Sequence, residues 1–121
     1  MDFEPSAPIP QQPNQRSRID ELAQKKLSGS IRWLVNKELK KLPKLLAEAE
    51  DVISLGQGLY DGKNGLVVLT SRRVLFVEEG MFRSRLEDFP FDKISSVQTE
   101  KGFINGKLII YASGNKAVYC S

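Results

Sequence analysis

The chain has 121 residues, 40% of them hydrophobic and 27% charged, with a formal net charge of +3. That length suits one domain and is too short for two sizeable cores, and no apolar run reaches the roughly 20 residues that span a bilayer. There is no histidine and one cysteine, Cys120, which removes the commonest acid–base group and excludes an internal disulfide.

Residues 1–16 hold four of the six prolines and little that can pack, so a disordered tail is expected there. Asp2, Glu4 and the lack of an apolar stretch argue against a signal peptide. With the reducing environment that a lone cysteine suits, the expected setting is cytoplasmic. Ser17 followed by Asp20 and Glu21 predicts a short helix to about Leu27. Ser28-Gly29-Ser30 then breaks the chain, and Ser30 is the predicted cap of a second helix, "IRWLVNKELKKLPKLLAEAE".

That second helix is amphipathic. At 100° per residue, Ile31, Leu34, Val35, Leu39, Leu42, Leu45 and Leu46 fall within an arc of about 140°. Arg32, Lys37, Lys40, Lys41 and Lys44 fall opposite, and Trp33 stands among them. Pro43 is expected to end one segment and restart another at Lys44, because its ring blocks the bond to Leu39. From Arg16 to Lys44 there are nine basic and three acidic residues, a surplus of six, whereas from Glu50 onward nine basic residues balance nine acidic ones. Electrostatic attraction to an anionic partner should therefore come from the helical stretch.

From Glu50 the period changes from 3.6 to 2. Runs rich in Val, Ile, Leu, Phe and Tyr are predicted as strands at 51–60, 65–70, 73–78, 85–91, 94–100, 107–112 and 116–120. Gly, Asn and Asp turns separate them, with no room for crossover helices, so the sheet should be an antiparallel meander closing into a small barrel or sandwich. The predicted organisation is a tail at 1–16, a basic helical segment at 17–48 and a β-barrel at 49–121. A sheet of that size needs a cover for its open end, and the leucine face of residues 31–46 is the expected lid.

The stretch "KELKKLPKLLAEAEDVISLGQGLYDGKNGLVVLTSRRVLFVEEGMF" followed by "FPFDKISSVQTEKGFINGKLIIYASGNKA" resembles the YokE-like bacterial pleckstrin-homology (PH) domain family. The resemblance rests on the Leu-Pro-x-Leu-Leu helix, the Val-Leu-Thr-Ser-Arg-Arg-Val-Leu-Phe hairpin, and the strands at Asp92–Val97 and Gly106–Ile110, and it covers about residues 37–120. It implies a mainly β fold with N-terminal helices, a PH-like antiparallel seven-strand bent barrel, and a binding module rather than an enzyme. It also implies a closing helix after the seventh strand, which this sequence does not contain before Ser121. Some bacterial PH-like domains assemble into rings, so self-association is an expected property.

The candidate ligand-loop residues are Lys63, Arg72 and Arg73. Arg72 and Arg73 sit at the corner between two strands, where an uncompensated inward arginine is costly, so both are expected to splay into solvent. A ligand contact is the alternative. The loop "YDGKNG" offers Lys63 beside Asp61, a poor phosphate cradle, so phosphoinositide-type binding is not expected there.

Arg32, Trp33, Lys37, Lys40, Lys41 and Lys44 form the candidate membrane or partner face, since an indole among lysines suits an anionic interface. Packing of the leucines on the barrel, with the lysines simply solvated, is the plainer reading. Nucleic acid is an unlikely partner: the strand region is neutral, and Phe76, Phe82, Phe89, Phe91, Phe103, Tyr111 and Tyr119 are not interleaved with cations, most of them reading more simply as core.

No catalytic constellation or cofactor is expected. Ser113-Gly-Asn-Lys116 reads as a hairpin turn, and Glu78-Glu79 and Glu87-Asp88 are strand neighbours whose side chains point apart. The function expected is noncatalytic binding or assembly with a protein partner, copies of the chain included. The alternative is peripheral binding to an anionic membrane.

Overall fold

The computed structural model describes residues 11–100, 107–112 and 116–120. Three helices come first: α1 (Gln11–Lys26), α2 (Gly29–Leu34) and α3 (Asn36–Leu45). The strands follow as β1 (Val52–Tyr60), β2 (Lys63–Thr70), β3 (Arg73–Glu79), β4 (Ser84–Pro90), β5 (Ile94–Glu100), β6 (Lys107–Ala112) and β7 (Lys116–Cys120). A single 3-10 turn, Phe91–Lys93, joins β4 to β5. All seven strands belong to one antiparallel sheet in the order β4-β3-β2-β1-β7-β6-β5.

The sheet bends over on itself. Tyr60, Val67, Val74, Phe76 and Phe89 from β1–β4 share one cluster with Ile110, Ala112 and Val118 from β6 and β7. Those two groups can meet only if the two halves of the sheet face each other. Tyr60 stacks at a tilt on Phe76 and edge-on to Phe89, each at 5.4 Å between centroids. Arg85 lies 5.0 Å from the centre of the Tyr60 ring and closes that end of the inner core.

The alternate residues of β1–β3 face the other way. Val52, Leu55, Leu66, Val68, Leu75 and Val77 pack against Ile19, Leu22, Ala23 and Leu27 of the first helical stretch and against Val35 and Leu42. Val52 and Leu55 are three apart, which in a regular strand would put them on opposite faces. A bulge between Val52 and Ser54 restores the common face. The helices therefore cover the outer face of β1–β3. They do not form the end lid that the leucine pattern suggested, because the side chains of β2 and β3 that turn away from the inner core already need a cover along their whole length.

Several local expectations change. Helix α1 begins at Gln11, so residues 11–16 are helical where a tail was expected. Pro13 falls in the first turn, where its missing N–H has no partner to lose. The rest of the expected tail, residues 1–10, lies outside the described residues. Ser28, not Ser30, caps α2, its hydroxyl accepting the Ile31 N–H at 3.3 Å. The helix does not restart at Pro43; α3 runs through it and ends two residues later, so only the bond to Leu39 is forfeited. The break comes instead at Val35, whose backbone (φ −104°, ψ 20°) leaves the helical region.

Two glycines of the first hairpin, Gly62 and Gly65, serve different ends. Asp61 and Gly62 both have positive φ, 54° and 75°, so the expected six-residue loop is a two-residue turn of the primed type. Gly65 lies inside β2, where an added Cβ would stand 2.5 Å from the Val77 carbonyl oxygen and 2.8 Å from the Phe76 ring. Gly65→Ala must therefore push β2 off β3. We expect it to lower stability by about 1–3 kcal/mol, read as a smaller urea midpoint at unchanged slope.

Candidate functional site

Arg73, at the start of β3, does not splay into solvent. Its Nε donates to Glu50 Oε2 at 2.8 Å and its Nη2 to Glu50 Oε1 at 2.8 Å, a two-pronged pair. Nη1 donates to Asp88 Oδ2 at 2.9 Å, and Nη2 also reaches the Leu45 carbonyl at 3.1 Å. Arg72 beside it is exposed. The expectation that both arginines face water fails for Arg73 because the chain supplies a buried carboxylate to meet it.

Glu50 is 1% exposed. Besides Arg73 it accepts the Thr70 hydroxyl at 2.6 Å and the Ala47 N–H at 2.9 Å. The Thr70 oxygen in turn accepts the Arg72 and Arg73 N–H groups, each at 3.1 Å, and so shapes the β2–β3 corner. Burial alone would raise the Glu50 carboxyl. The hydrogen bonds from Arg73, Thr70 and Ala47 outweigh it and bring the pKa down from 4.5 to about 2. The Arg73 guanidinium is raised above its ordinary value by the same bond to Glu50, against burial. From α1, Gln15 Nε2 donates to the carbonyls of Ala47 and Glu50 at 3.1 and 2.9 Å, so the knot also holds the first helix.

The far end of β3 carries a second fastening. Lys41 Nζ meets Glu79 Oε2 at 2.6 Å, and Glu38 Oε2 accepts the Glu79 N–H at 2.8 Å. The Glu79 carboxyl is lowered, first by the Lys41 bond, with Lys37 adding to the effect through space. Helix α3 thus runs antiparallel to β3, tied at Glu79 by its first half and at Arg73 by Leu45.

The sequence-predicted surface residues divide accordingly. Lys41 is consumed by Glu79 and leaves the candidate face. Lys37, Lys40 and Lys44 form an exposed stripe on α3, and none forms an ion pair among the described residues. Trp33 is 77% exposed and Arg32 half-buried. Lys63 is the first residue of β2, exposed and opposite Tyr60. Arg72 and Lys63 lie at opposite ends of β2, so the proposed ligand-loop residues do not come together. Within the acidic pairs, Glu87 takes Arg85 and Asp88 takes Arg73, while Glu79 takes Lys41 and Glu78 pairs in register with Arg85. Among the described residues there is no group of three or more metal-ligating side chains. No helix there is long and apolar enough to cross a membrane.

Two residues of the surface were missed. Met81 and Phe82, at the tip between β3 and β4, are 83% and 92% exposed. Phe82 was one of the aromatics read mostly as core, as was Phe91, which is 46% exposed. The signal available was Gly80 on one side and Arg83 on the other, which marks a hairpin tip. Phe103 and the turn at 113–115 with the Ser-x-x-Lys match lie outside the described residues, as do the side chains of Tyr119 and Cys120.

A family model, the bacterial PH domain, matches residues 46–119. The chain belongs to the bacterial PH domain family. Domains of this family are in general noncatalytic binding modules. Helices α1, α2 and α3 all precede the matched region. Among solved structures the chain is similar to a pleckstrin homology domain from Shewanella amazonensis SB2B, at 21% identity and a TM-score of 0.47, over 71% of this chain and 81% of that one. It is also similar to a DUF1696 family protein with a pleckstrin-homology domain from Shewanella loihica PV-4, at 16% identity and a TM-score of 0.46, over 72% and 81%. No curated protein matches it.

The knot around Glu50 predicts an acid limb. Its folded pKa lies below the ordinary value, so its contribution is complete above about pH 4.5 and is lost as the pH falls toward about 2. Melting curves across that window should show stability falling with pH. Glu50→Gln, which leaves Arg73 only its pair with Asp88, should cost about 1–3 kcal/mol at neutral pH and flatten that limb.

Proposed function

We propose that this chain is a noncatalytic binding module that attaches peripherally to an anionic membrane surface through the solvent side of its helical segment. The observation that carries this reading is how the segment divides. Ile19, Leu22, Val35 and Leu42 are buried against the sheet, while Trp33 and the Lys37, Lys40, Lys44 stripe stay in water. Indole beside lysines suits the headgroup level of a bilayer. Because the leucines are already used, each cation adds roughly 1 kcal/mol and the attachment is screened by salt. The inner face of a cell membrane is the surface this implies.

The reading takes the chain as a YokE-like member of its family, with the Leu42-Pro43-Lys44-Leu45-Leu46 motif on the helix before the first strand. It also takes the division near residue 48 as functional, the helical segment attaching and the barrel carrying. Association with a protein, a second copy included, is the competing reading. It is favoured by β5, a terminal strand of the sheet that exposes Ser95, Ser96, Val97 and Gln98 and could accept an added strand.

Vesicle sedimentation separates the two. Phosphatidylglycerol vesicles should pellet the protein at low salt, about tenfold or more less well at physiological salt, and phosphatidylcholine vesicles should not. The triple variant Lys37→Glu, Lys40→Glu, Lys44→Glu should stay in the supernatant. A protein that ignores both vesicles and runs as a defined oligomer in light scattering would favour protein association instead.

A further inference from the structure

The two terminal strands of the sheet are unlike. β4 and β5 follow each other in the chain but stand at opposite ends of the strand order, and no ladder joins them among the described residues. Each presents a row of backbone N–H and C=O groups with no described strand beside it. β4 is guarded: it holds Arg85, Glu87 and Asp88 and ends at Pro90, which has no N–H to give. From Ile94 to Thr99, β5 holds neither a charge nor a proline. Its one irregularity falls between Ile94 and Ser96, where Ser95 Oγ donates to the Tyr111 carbonyl at 3.1 Å. From Ser96 to Glu100 its ladder with β6 is regular.

Val97 is short of a neighbour. It lies opposite Ile110 of β6, and Ile110 belongs to the inner core. Directly opposed residues share a face, so Val97 is on the inner side of the sheet, yet it is 55% exposed. A β-branched residue of an interior strand packs between two cross-strand neighbours, and Val97 has one. Ser96 and Gln98, on either side of it, are exposed and uncharged.

An open strand edge is matched by the backbone of another extended strand. Self-complementarity singles out the chain's own. Two identical strands that pair antiparallel about a two-fold axis normal to the sheet bring residues of the same face together. Centred on Val97, that pairing sets Val97 of one copy against Val97 of the other, and Ser96 against Gln98. Each valine gains its missing neighbour, and no charge meets its like. The same operation on β4, centred on Glu87, would set that carboxylate against its own copy, which is destabilising.

We propose that β5 is a self-pairing edge, through which two copies of the chain join antiparallel about Val97 into one continuous sheet. The inference goes beyond the membrane reading and uses none of its residues. The helices cover β1–β3, whereas β5 is separated from β1 by β7 and β6, so the two surfaces belong to different elements. One strand pair is a small interface, and the dimer is accordingly reversible.

Sedimentation velocity without lipid tests it. The full chain should shift from one copy to two as its concentration rises. Val97→Lys sets two ammonium groups face to face. Because the two-fold counts the change twice, it should weaken association about tenfold or more. Its circular dichroism should match the parent, since the side chain replaced is half in water. With the one native cysteine removed as Cys120→Ser, Val97→Cys should cross-link to a covalent dimer under mild oxidation, because directly opposed residues hold their Cα atoms about 4.5–5.5 Å apart. Gln98→Cys, whose opposite is Ser96, should cross-link far less. A monomer at every concentration would overturn the proposal, leave the β5 edge to a strand of another protein, and not touch the vesicle result. A dimer that Val97→Lys leaves unchanged, or that cross-links no faster at position 97 than at 98, would put the contact elsewhere and overturn it as well.

Discussion

The architecture depends on one buried carboxylate. Glu50 sits where the helical segment gives way to the sheet, 1% exposed, and a charge so placed is tolerated only when every lone pair is engaged. Its partners join the linker to the corner between two paired strands: Ala47 from the linker, Thr70 from the end of β2, Arg73 from the start of β3. Arg73 then extends the knot to Asp88 on β4 and the Leu45 carbonyl at the end of α3. Hydrophobic contact between helices and sheet is non-directional and would allow the helices to slide. The ion pair and its hydrogen bonds fix where they stop.

That fixing makes the two ends of β3 unlike. At Arg73 the polar groups are saturated by one another, and of the two corner arginines only Arg72 stays exposed. At Glu79 the fastening uses Lys41 and Glu38 but leaves the tip beyond it, and the residues before α3, in water. The Val35 break matters here. Had the helix run unbroken from Ile31, Leu34 would have joined the buried stripe. The bend turns it out beside Trp33 instead. An arginine expected to splay into solvent is thus structural, and a phenylalanine among the aromatics read mostly as core faces solvent.

Much of this was legible in the residues. The strands could be read because the period is 2 and the turns are marked by Gly, Asn and Asp, and all seven fall within about two residues of their expected positions. The amphipathic leucines correctly implied packing on the sheet. The Arg73–Glu50 pair was not legible, since its members are 23 residues apart and nothing local tells an arginine at a corner whether a carboxylate awaits it. The helix break at Val35 was hidden for a similar reason: Pro43 is the strongest local breaker, but its place in the last turn makes it harmless, whereas Val35 bends without any residue that demands it. Phe82 was misread because an aromatic near a strand end is ordinarily core, and only the Gly80–Arg83 turn closure moves it outside.

The same reasoning says why the partner surface should not be sought at the loop between β1 and β2. A primed two-residue turn needs positive φ at both positions, as Asp61 and Gly62 have, and it brings Tyr60 and Lys63 directly opposite each other. Such a turn has no room for several converging cations. Asp61 is moreover neutralised by Arg85, which is itself held over the Tyr60 ring and by Glu87. Among the described residues, Lys63 is the single cation left over at that corner, and one lysine is no cradle. Recognition of an anionic partner needs several cations side by side that lack an opposite, and Lys37, Lys40 and Lys44 of α3 are such a set. That set lies on the helical segment, which precedes the family's matched region and is tied to the sheet through Glu79 and Arg73.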